Sequence, residues 1–301
     1  QDVMARHFAN PSSLHALGET ANRLLSEARQ QAARILNVDA EEIVFTSSAT
    51  ESNNLAIKGT ALQYAHRGKH IITTAVEHPS VDQPLAQLEK AGFEVARLPV
   101  ERDGRVRPED LQGALRDDTI LVSVIWVNNE TGAVQSLETI GRLLKPYRRV
   151  LFHVDAVQGF GKLPLSIRDW GIDLLSLSAH KFHGPRGAGI LYVRKGITLT
   201  PLLAGGGQEG GLRSGTENLP SIVGMVQAMG MAEQKRKQQF DHLRRLRERL
   251  QQGIEQIPGA LVNSPIGGAP HILNVSFPGI KPEVLIHALE QKGVYVSTLS
   301  A

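Results

Sequence analysis

Polar side chains that could carry out chemistry follow five of the predicted strands of this sequence, with one set after each of the five. The sets are Ser47-Ser48-Ala49-Thr50, Glu77-His78, Asn128-Asn129-Glu130, Asp155 with Gln158, and Ser178-Ala179-His180-Lys181. In an open α/β sheet, ligands bind beyond the carboxyl ends of the strands. We therefore expect five loops to converge on one edge of a sheet and to form a binding site there.

Lys181 is the strongest candidate nucleophile of this set. It follows an apolar run and is flanked by His180 and by a Gly-Pro-Arg-Gly turn. Desolvation of a lysine at such a strand end makes its amine a better nucleophile toward a carbonyl group. The structural alternative is a strand-end lysine that extends its ammonium group into solvent.

Asp155 ends another apolar run, where burial raises the pKa of a carboxyl group unless a cation or an N–H group compensates. A protonated pyridine nitrogen is one such partner. An aspartate paired with that nitrogen allows pyridoxal phosphate to act as an electron sink. A helix cap or a salt bridge is the structural alternative.

Two further positions have both a functional and a structural interpretation. The free N–H groups at the start of a helix predicted near Thr50, with the Thr50 hydroxyl, could hold a phosphate group, or these residues simply cap the helix. His78 could stack on an aromatic cofactor and move protons, or it is a structural histidine. His180 and His183 have no carboxylate or third ligand at a fixed spacing, so the sequence predicts no metal site.

The elements that must position these residues follow from the pattern of apolar residues. Short apolar runs alternate with helical stretches, which predicts a mostly parallel sheet covered by helices on both faces. A helix is predicted over residues 13–36, and a second over 240–257. The predicted strands cover residues 43–45, 70–73, 120–127, 150–154, 174–177 and 190–193. A β-type run at 271–277, a helix at 282–292 and a strand at 294–296 indicate a second domain.

Composition excludes several classes of protein. The 301 residues are 41% hydrophobic and 21% charged, with a net charge of +3, which gives little support for direct nucleic-acid binding. No run approaches the ~18 apolar residues of a membrane-spanning helix. The absence of cysteine excludes disulfides and thiolate metal sites and fits a reducing compartment. The N-terminal residues contain no secretory-type segment, which favours the cytoplasm, although a removed organellar presequence would leave the same pattern.

Eight segments, taken in order along the chain, resemble the cysteine desulfurases of the NifS/IscS type. These belong to the class V aminotransferase-like, fold-type I enzymes that use pyridoxal phosphate. Each segment alone is a weak signal, but eight in order over nearly the whole chain are specific. The segments are Asn10-Pro11-Ser12-Ser13, Phe45-Thr46-Ser47-Ser48-Ala49-Thr50-Glu51-Ser52-Asn53-Asn54, Glu77-His78, Val127-Asn128-Asn129-Glu130-Thr131-Gly132, His153-Val154-Asp155-Ala156 with Gln158, Ser178-Ala179-His180-Lys181, Arg213-Ser214-Gly215-Thr216-Glu217-Asn218 and Val294-Tyr295-Val296-Ser297.

The resemblance implies a role for each matching residue. Lys181 would bind the cofactor covalently and move protons at the substrate carbon, Asp155 would pair with the ring nitrogen, and His78 would stack on the ring and act as acid or base. The remaining implied contacts are Asn129 and Gln158 at the ring's phenolic oxygen, Ala49, Thr50, Ser178 and His180 at the phosphate, Ala179 beside them, Thr216 at the phosphate of a neighbouring subunit, and Asn10 at the substrate carboxylate.

The resemblance also implies a domain organisation. We expect a cofactor-binding large domain over residues 1–232 that lacks the N-terminal strand and helix normally preceding Asn10. Residues 233–301 would form a bridging helix and an incomplete smaller α+β domain, without the family's substrate-binding arginine.

In this family an enzyme cysteine attacks the sulfur of bound L-cysteine, so that alanine leaves and a persulfide remains on the enzyme. That cysteine directly follows a Val-Ser-Thr-x-Ser-Ala segment, which here is formed by residues 296–301, and the sequence contains no cysteine. Because the flanking segment is intact, we expect truncation or disorder rather than evolved loss of the nucleophile.

The resulting hypothesis is a homodimeric cysteine desulfurase that passes sulfur to Fe–S cluster scaffolds or to tRNA-thiolation enzymes. Two alternatives stay open on the sequence alone. One is a related pyridoxal phosphate lyase, such as a selenocysteine lyase. The other is a non-catalytic protein that keeps the fold as a binding scaffold.

Overall fold

A seven-stranded sheet forms the centre of the computed structural model, which describes residues 1–298. The strand order is β1-β7-β6-β5-β4-β2-β3. Their bounds are β1 (Ile43–Thr46), β2 (His70–Thr74), β3 (Glu94–Leu98), β4 (Thr119–Ile125), β5 (Leu151–Asp155), β6 (Leu174–Ser178) and β7 (Gly189–Val193).

The strands from β3 across to β6 run parallel, and β7 is antiparallel to both of its neighbours. Strand β1 therefore runs in the same direction as β6. The carboxyl ends of β1, β2, β4, β5 and β6 all reach the same edge of the sheet, as the sequence predicts. The mostly parallel α/β architecture is confirmed.

Helices cover both faces of the sheet. They are α1 (Asp2–Arg6), α2 (Ala16–Leu36), α3 (Ala49–Tyr64), α4 (Pro79–Lys90), α5 (Pro108–Ala114), α6 (Leu137–Leu144), α7 (Leu219–Glu255) and α8 (Pro282–Glu290). One buried cluster joins α2, α6 and α7 to one face, including Phe152 and Leu177. A second cluster joins α3 and α4 to the other face, including Leu121 and Leu174. Adjacent residues of a strand thus pack into the two clusters on opposite faces of the sheet, which is why these strands are apolar at nearly every position.

Strand β3 was not among the predicted strands. It lies at the end of the sheet and pairs with β2 alone. Its sequence, Glu-Val-Ala-Arg-Leu, is mostly exposed or half-buried, and Leu98 is its one buried residue. Continuous apolar runs are typical of strands that are covered on both faces, and an edge strand of this kind does not have one.

Helix α7 is a single helix of 37 residues, longer than the predicted 240–257. Its buried residues, among them Met225 and Met229, recur at helical spacing and end at Ala232. The expected division between residues 232 and 233 therefore lies inside a continuous helix, at the point where the helix leaves the core.

The region after α7 contains little regular structure. Strands β8 (Leu261–Val262) and β9 (Val275–Ser276) form a two-stranded antiparallel sheet, so the strand predicted over 271–277 is much shorter. The strand predicted over 294–296 is wrong, because these residues join no strand pair in the described part of the chain. The Val294 N–H instead bonds the Leu289 carbonyl oxygen at 3.0 Å and closes the end of α8.

Residues 299–301 of the Val-Ser-Thr-x-Ser-Ala segment lie outside the described residues.

Within the described residues, none of the helices combines the length and the apolar character needed to cross a bilayer.

Candidate active site

A cavity of about 210 Å³ lies at the carboxyl edge of the sheet, where the five predicted loops meet. It therefore brings together nine of the residues predicted to bind a cofactor. Its lining residues are Ser48, Ala49, Thr50, His78, Ser80, Ile125, Asn129, Asp155, Val157, Gln158, Ser178, His180 and Lys181.

The start of helix α3 forms one wall of this cavity. Ser48 caps the helix, and its Oγ accepts a hydrogen bond from the Glu51 N–H at 3.4 Å. Ala49 and Thr50, the first two helical residues, line the cavity. N–H groups in the first turn have no partner within a helix, so this wall can bind an anion such as a phosphate group. Ser48 therefore caps the helix, while the neighbouring Ala49 and Thr50 can bind the anion, so the two interpretations do not exclude each other.

Lys181 and His180 lie on the short turn that follows β6. The Ser178 Oγ and the His180 Nδ1 are 2.9 Å apart, and both side chains line the cavity. Partial burial, with the charges of Lys181 and Arg186, lowers the pKa of His180 and so favours its neutral form. Ala179, between them, is buried in the core and does not line the cavity, because its N–H bonds the Ala188 carbonyl oxygen and turns the residue inward.

A second lysine supports this turn. The Lys162 Nζ donates a hydrogen bond to the Lys181 carbonyl oxygen at 2.8 Å. Burial and the charge of Lys181 lower the pKa of Lys162 to about 8. Sequence reasoning did not single out Lys162, which follows a glycine in a loop and has no motif of its own.

Asp155 is a buried carboxyl group at the end of β5. It accepts hydrogen bonds from the Val157 N–H at 3.1 Å and from the Asn53 Nδ2 at 2.8 Å. Burial raises the pKa of Asp155, and in the described part of the chain no cationic side chain lies within 4.0 Å of it. A buried carboxylate that faces the cavity and has no ion-pair partner within 4.0 Å among the described residues fits the protonated ring nitrogen of pyridoxal phosphate. The donor-rich wall of α3 fits its phosphate, so the residues present suit this cofactor.

His78 is the N-cap residue of α4, and its Nδ1 faces Ser80. The Ser80 N–H donates to this nitrogen at 3.1 Å, and the Ser80 Oγ lies 2.8 Å from it. Ser80 also accepts a hydrogen bond from the Asn53 Nδ2 at 2.8 Å. Asn53 and Ser80 were not predicted as site residues because one lies inside a helix and the other in a helical first turn, where polar residues are common.

Glu77 places a second buried carboxyl group behind the cavity. Its Oε1 accepts hydrogen bonds from the Thr74 hydroxyl at 2.7 Å and from the Ile125 N–H at 2.9 Å, while its buried Oε2 has no hydrogen-bond partner among the described residues. Burial, with the nearby charge of Asp155, raises the pKa of Glu77 to about 8. This group is therefore protonated at neutral pH. The sequence placed Glu77 in a matching motif but gave it no role.

Gln158 contacts a residue from the region after α7. The His271 Nε2 lies 3.4 Å from the Gln158 Oε1. Burial, with the charges of Lys162 and Lys181, lowers the pKa of His271 to about 3. The sequence predicted His271 only as the start of a strand, and no local pattern indicates its approach to the site.

Asn10 and Thr216 do not reach this cavity. Both residues are exposed, and neither lines it. The Asn10 Oδ1 instead accepts a hydrogen bond from the Ser12 N–H at 2.9 Å. The role predicted for Thr216 concerns a neighbouring subunit, so its place outside the cavity of its own chain agrees with that expectation without testing it.

Comparison with known proteins gives consistent matches over nearly the whole chain. The family model for class V aminotransferases matches residues 1–299. A "NifS/IcsS protein homolog" of Lactobacillus delbrueckii is 48% identical, with 99% of this chain and 78% of the relative aligned. A "Cysteine desulfurase IscS" of Methanosarcina thermophila is 45% identical over 99% of this chain and 74% of the relative.

Solved structures agree with these sequence matches. A "NifS-like protein" superposes with a TM-score of 0.96 at 42% identity and covers 99% of this chain and 82% of its own. A structure described as "SspA in complex with cysteine" superposes with a TM-score of 0.85 at 35% identity, with coverage of 100% and 84%.

Proposed function

This chain belongs to the class V aminotransferase family, among the NifS/IscS cysteine desulfurases, and on that premise we propose that it removes sulfur from L-cysteine with pyridoxal phosphate bound in the cavity. The observation that carries the proposal is that Lys181 and Asp155 line the same cavity at the carboxyl edge of the sheet. Relatives named as cysteine desulfurases do not favour a selenocysteine lyase or a non-catalytic scaffold.

When bound, pyridoxal phosphate supplies a carbonyl carbon for amines and a ring that withdraws electrons from the substrate carbon. Asp155 would hold a proton on the ring nitrogen, because its buried carboxylate is stabilised by a cationic partner. The start of α3, with Ser178 and His180, would hold the phosphate. His78 would lie against the ring, and Asn129 and Gln158 would bind its phenolic oxygen.

Lys181 would carry the proton transfer at the substrate. Its amine lines the cavity on the turn after β6, beside His180, and could take the Cα proton and return it to another atom. Lys162 supports this step by holding the Lys181 carbonyl oxygen at 2.8 Å, which fixes the backbone from which the amine extends. Held in this way, Lys181 stays oriented toward the substrate.

The sulfur leaves the substrate for a nucleophile that is not among these 301 residues, since none of them is a cysteine. We infer that the protein works in the cytoplasm as a homodimer and passes sulfur to Fe–S scaffold or tRNA-thiolation proteins. The exposed position of Thr216, outside the cavity of its own chain, supports a contact with the phosphate of the partner subunit.

The experiment that tests this function measures proton exchange at Cα, a step that needs Lys181 but no thiolate. Protein loaded with pyridoxal phosphate is incubated with L-alanine, the product, in deuterated water, and loss of the Cα proton is followed by NMR. We expect exchange in the parent, no detectable exchange in Lys181→Ala, and parent-like exchange in Lys195→Ala, an exposed lysine.

The complete reaction is measured with L-cysteine and added dithiothreitol as sulfur acceptor. One dithiothreitol thiol would attack the substrate sulfur in place of the cysteine that these residues lack, and its second thiol would close the cyclic disulfide and release sulfide, so we expect alanine, sulfide and oxidised dithiothreitol in equal amounts. A cofactor-loaded parent that exchanges no Cα proton and forms no alanine would contradict the proposed function.

A further inference from the structure

The bond to Ser80 determines which nitrogen of His78 carries the proton when the ring has only one. The backbone N–H of Ser80 can only donate, and it lies 3.1 Å from the His78 Nδ1. That nitrogen must therefore be an acceptor, so the ring proton lies on Nε2.

The Ser80 hydroxyl reinforces this arrangement. Its Oγ already accepts a hydrogen bond from the Asn53 Nδ2 at 2.8 Å, which leaves the hydroxyl proton free to donate to the His78 Nδ1, also at 2.8 Å. The backbone N–H and the hydroxyl group of Ser80 thus both donate to the His78 Nδ1.

Asn53 orients the other end of this chain of hydrogen bonds. Its amide nitrogen has two protons, and they go to the Ser80 Oγ and to the Asp155 Oδ2, both at 2.8 Å. Both Asn53 and Ser80 are buried. A flipped Asn53 amide would set its oxygen against the Asp155 carboxylate, so the observed orientation is the one that the charge favours. The donated hydrogen bonds therefore lead outward from the Asn53 amide. One goes directly to Asp155, and the other reaches His78 through the Ser80 hydroxyl.

We propose that Ser80 and Asn53 are positioning residues that hold His78 with its proton on Nε2 and couple its orientation to that of Asp155. His78 then meets the contents of the cavity as a hydrogen-bond donor. With Nδ1 occupied by Ser80 and the proton on Nε2, the ring has no free lone pair with which to act as a base toward the cavity. The part of the proposal that concerns turnover rests on the proposed function, whereas the proton position is a property of the protein alone.

The proton position is measured by NMR on protein labelled with ¹⁵N-histidine and loaded with pyridoxal phosphate. The His78 signals are assigned by their loss in His78→Gln. We expect a protonated Nε2 and an unprotonated Nδ1 at neutral pH. A protonated Nδ1 would overturn the proposal, whatever the protein's activity.

Turnover is measured as Cα-proton exchange in L-alanine. We expect Ser80→Ala to lower kcat about fivefold with KM changed less than twofold, which is the effect of losing one neutral hydrogen bond that orients a reacting group. Ser80→Thr keeps the hydroxyl and should restore most of the loss. Asn53→Leu removes both amide donors and should lower kcat at least as much as Ser80→Ala.

Ser123→Ala is the matched control, because the Ser123 Oγ makes the same 2.8 Å contact to the Nδ1 of a different buried histidine, His153, outside the cavity. Its kcat should stay within twofold of the parent. A Ser80→Ala protein that matches Ser123→Ala in kcat would overturn the positioning role. A parent without any exchange would contradict the proposed function instead, and the NMR result would still decide the proton position.

Discussion

The contribution of the buried Glu77 carboxyl group to the free energy of unfolding depends on pH. The folded protein keeps this carboxyl protonated up to a pKa of about 8, while an unperturbed glutamate ionises near 4.5. Its favourable contribution to folding is therefore complete below pH 4.5 and is lost as the pH rises toward 8.

We expect Glu77→Gln to remove this pH dependence, because glutamine retains an Oε1 acceptor for Thr74 and Ile125 but cannot ionise. Relative to the parent, the variant should gain roughly 2–3 kcal/mol of unfolding free energy between pH 5.5 and pH 7.5, at about 1.4 kcal/mol per pH unit. Urea unfolding at a series of pH values measures this gain. A difference between the two proteins that stays constant over this range would show that Glu77 does not titrate in this way.

The place in the cavity of residues at or soon after the end of a strand could be predicted from the sequence, and the place of the residues that contact them could not. Lys181, Asp155 and His78 were predicted because the end of a parallel strand is a known place for ligands. Asn53 and Ser80 approach them only through the packing of α3 beside α4, and their polar character is equally suited to a solvent-exposed helix. Their role depends on a contact between distant parts of the chain, which local spacing does not encode.

Strand β1 is an edge strand whose outer side is closed by two side chains. The Arg29 guanidinium donates to the Ile43 carbonyl oxygen, and the Glu209 carboxylate accepts from the Phe45 N–H at 2.8 Å. The two side chains also form a bidentate ion pair with distances of 2.8 and 2.6 Å. The pair therefore satisfies backbone groups that an open edge would offer to another chain.

Removing one partner of this ion pair should destabilise the protein strongly. The Glu209 side chain is only 1% exposed, so Glu209→Ala leaves Arg29 with an uncompensated charge near the core. We expect a loss of about 3 kcal/mol in unfolding free energy. Glu138→Ala, which breaks an exposed pair with Arg142, should cost less than about 1 kcal/mol. Urea unfolding of both variants tests the contrast, and equal losses would refute it.

At the level of elements, the apolar strands were predictable and the exposed ones were not. The runs that became β1, β2, β4, β5, β6 and β7 are buried along their whole length, so hydrophobicity alone identifies them. Strand β3 and the pair β8–β9 are exposed on at least one side and carry no such signal. The antiparallel direction of β7 could not be predicted from the sequence either, because strand direction depends on how the chain crosses the sheet.

The whole molecule should be stabilised by the proposed cofactor, since the cavity is built from five separate loops. At a concentration of pyridoxal phosphate one hundred times its Kd, we expect about 2.7 kcal/mol of added stability. Pyridoxal, which has no phosphate for the start of α3, should add less at the same concentration. Thermal unfolding with each compound measures the difference, and identical shifts would argue against a phosphate site at Ala49 and Thr50.

The pairing of β1 with β7 also sets the order in which the site can be completed during synthesis. Among the described residues, β7 is the one strand bonded to β1, and its residues 189–192 leave the ribosome long after residues 43–46. Until then the first strand and the start of α3 have no fixed place beside the turn that carries Lys181. A nascent chain therefore cannot capture the proposed cofactor before β7 has been made. Loading must wait until synthesis has passed residue 193.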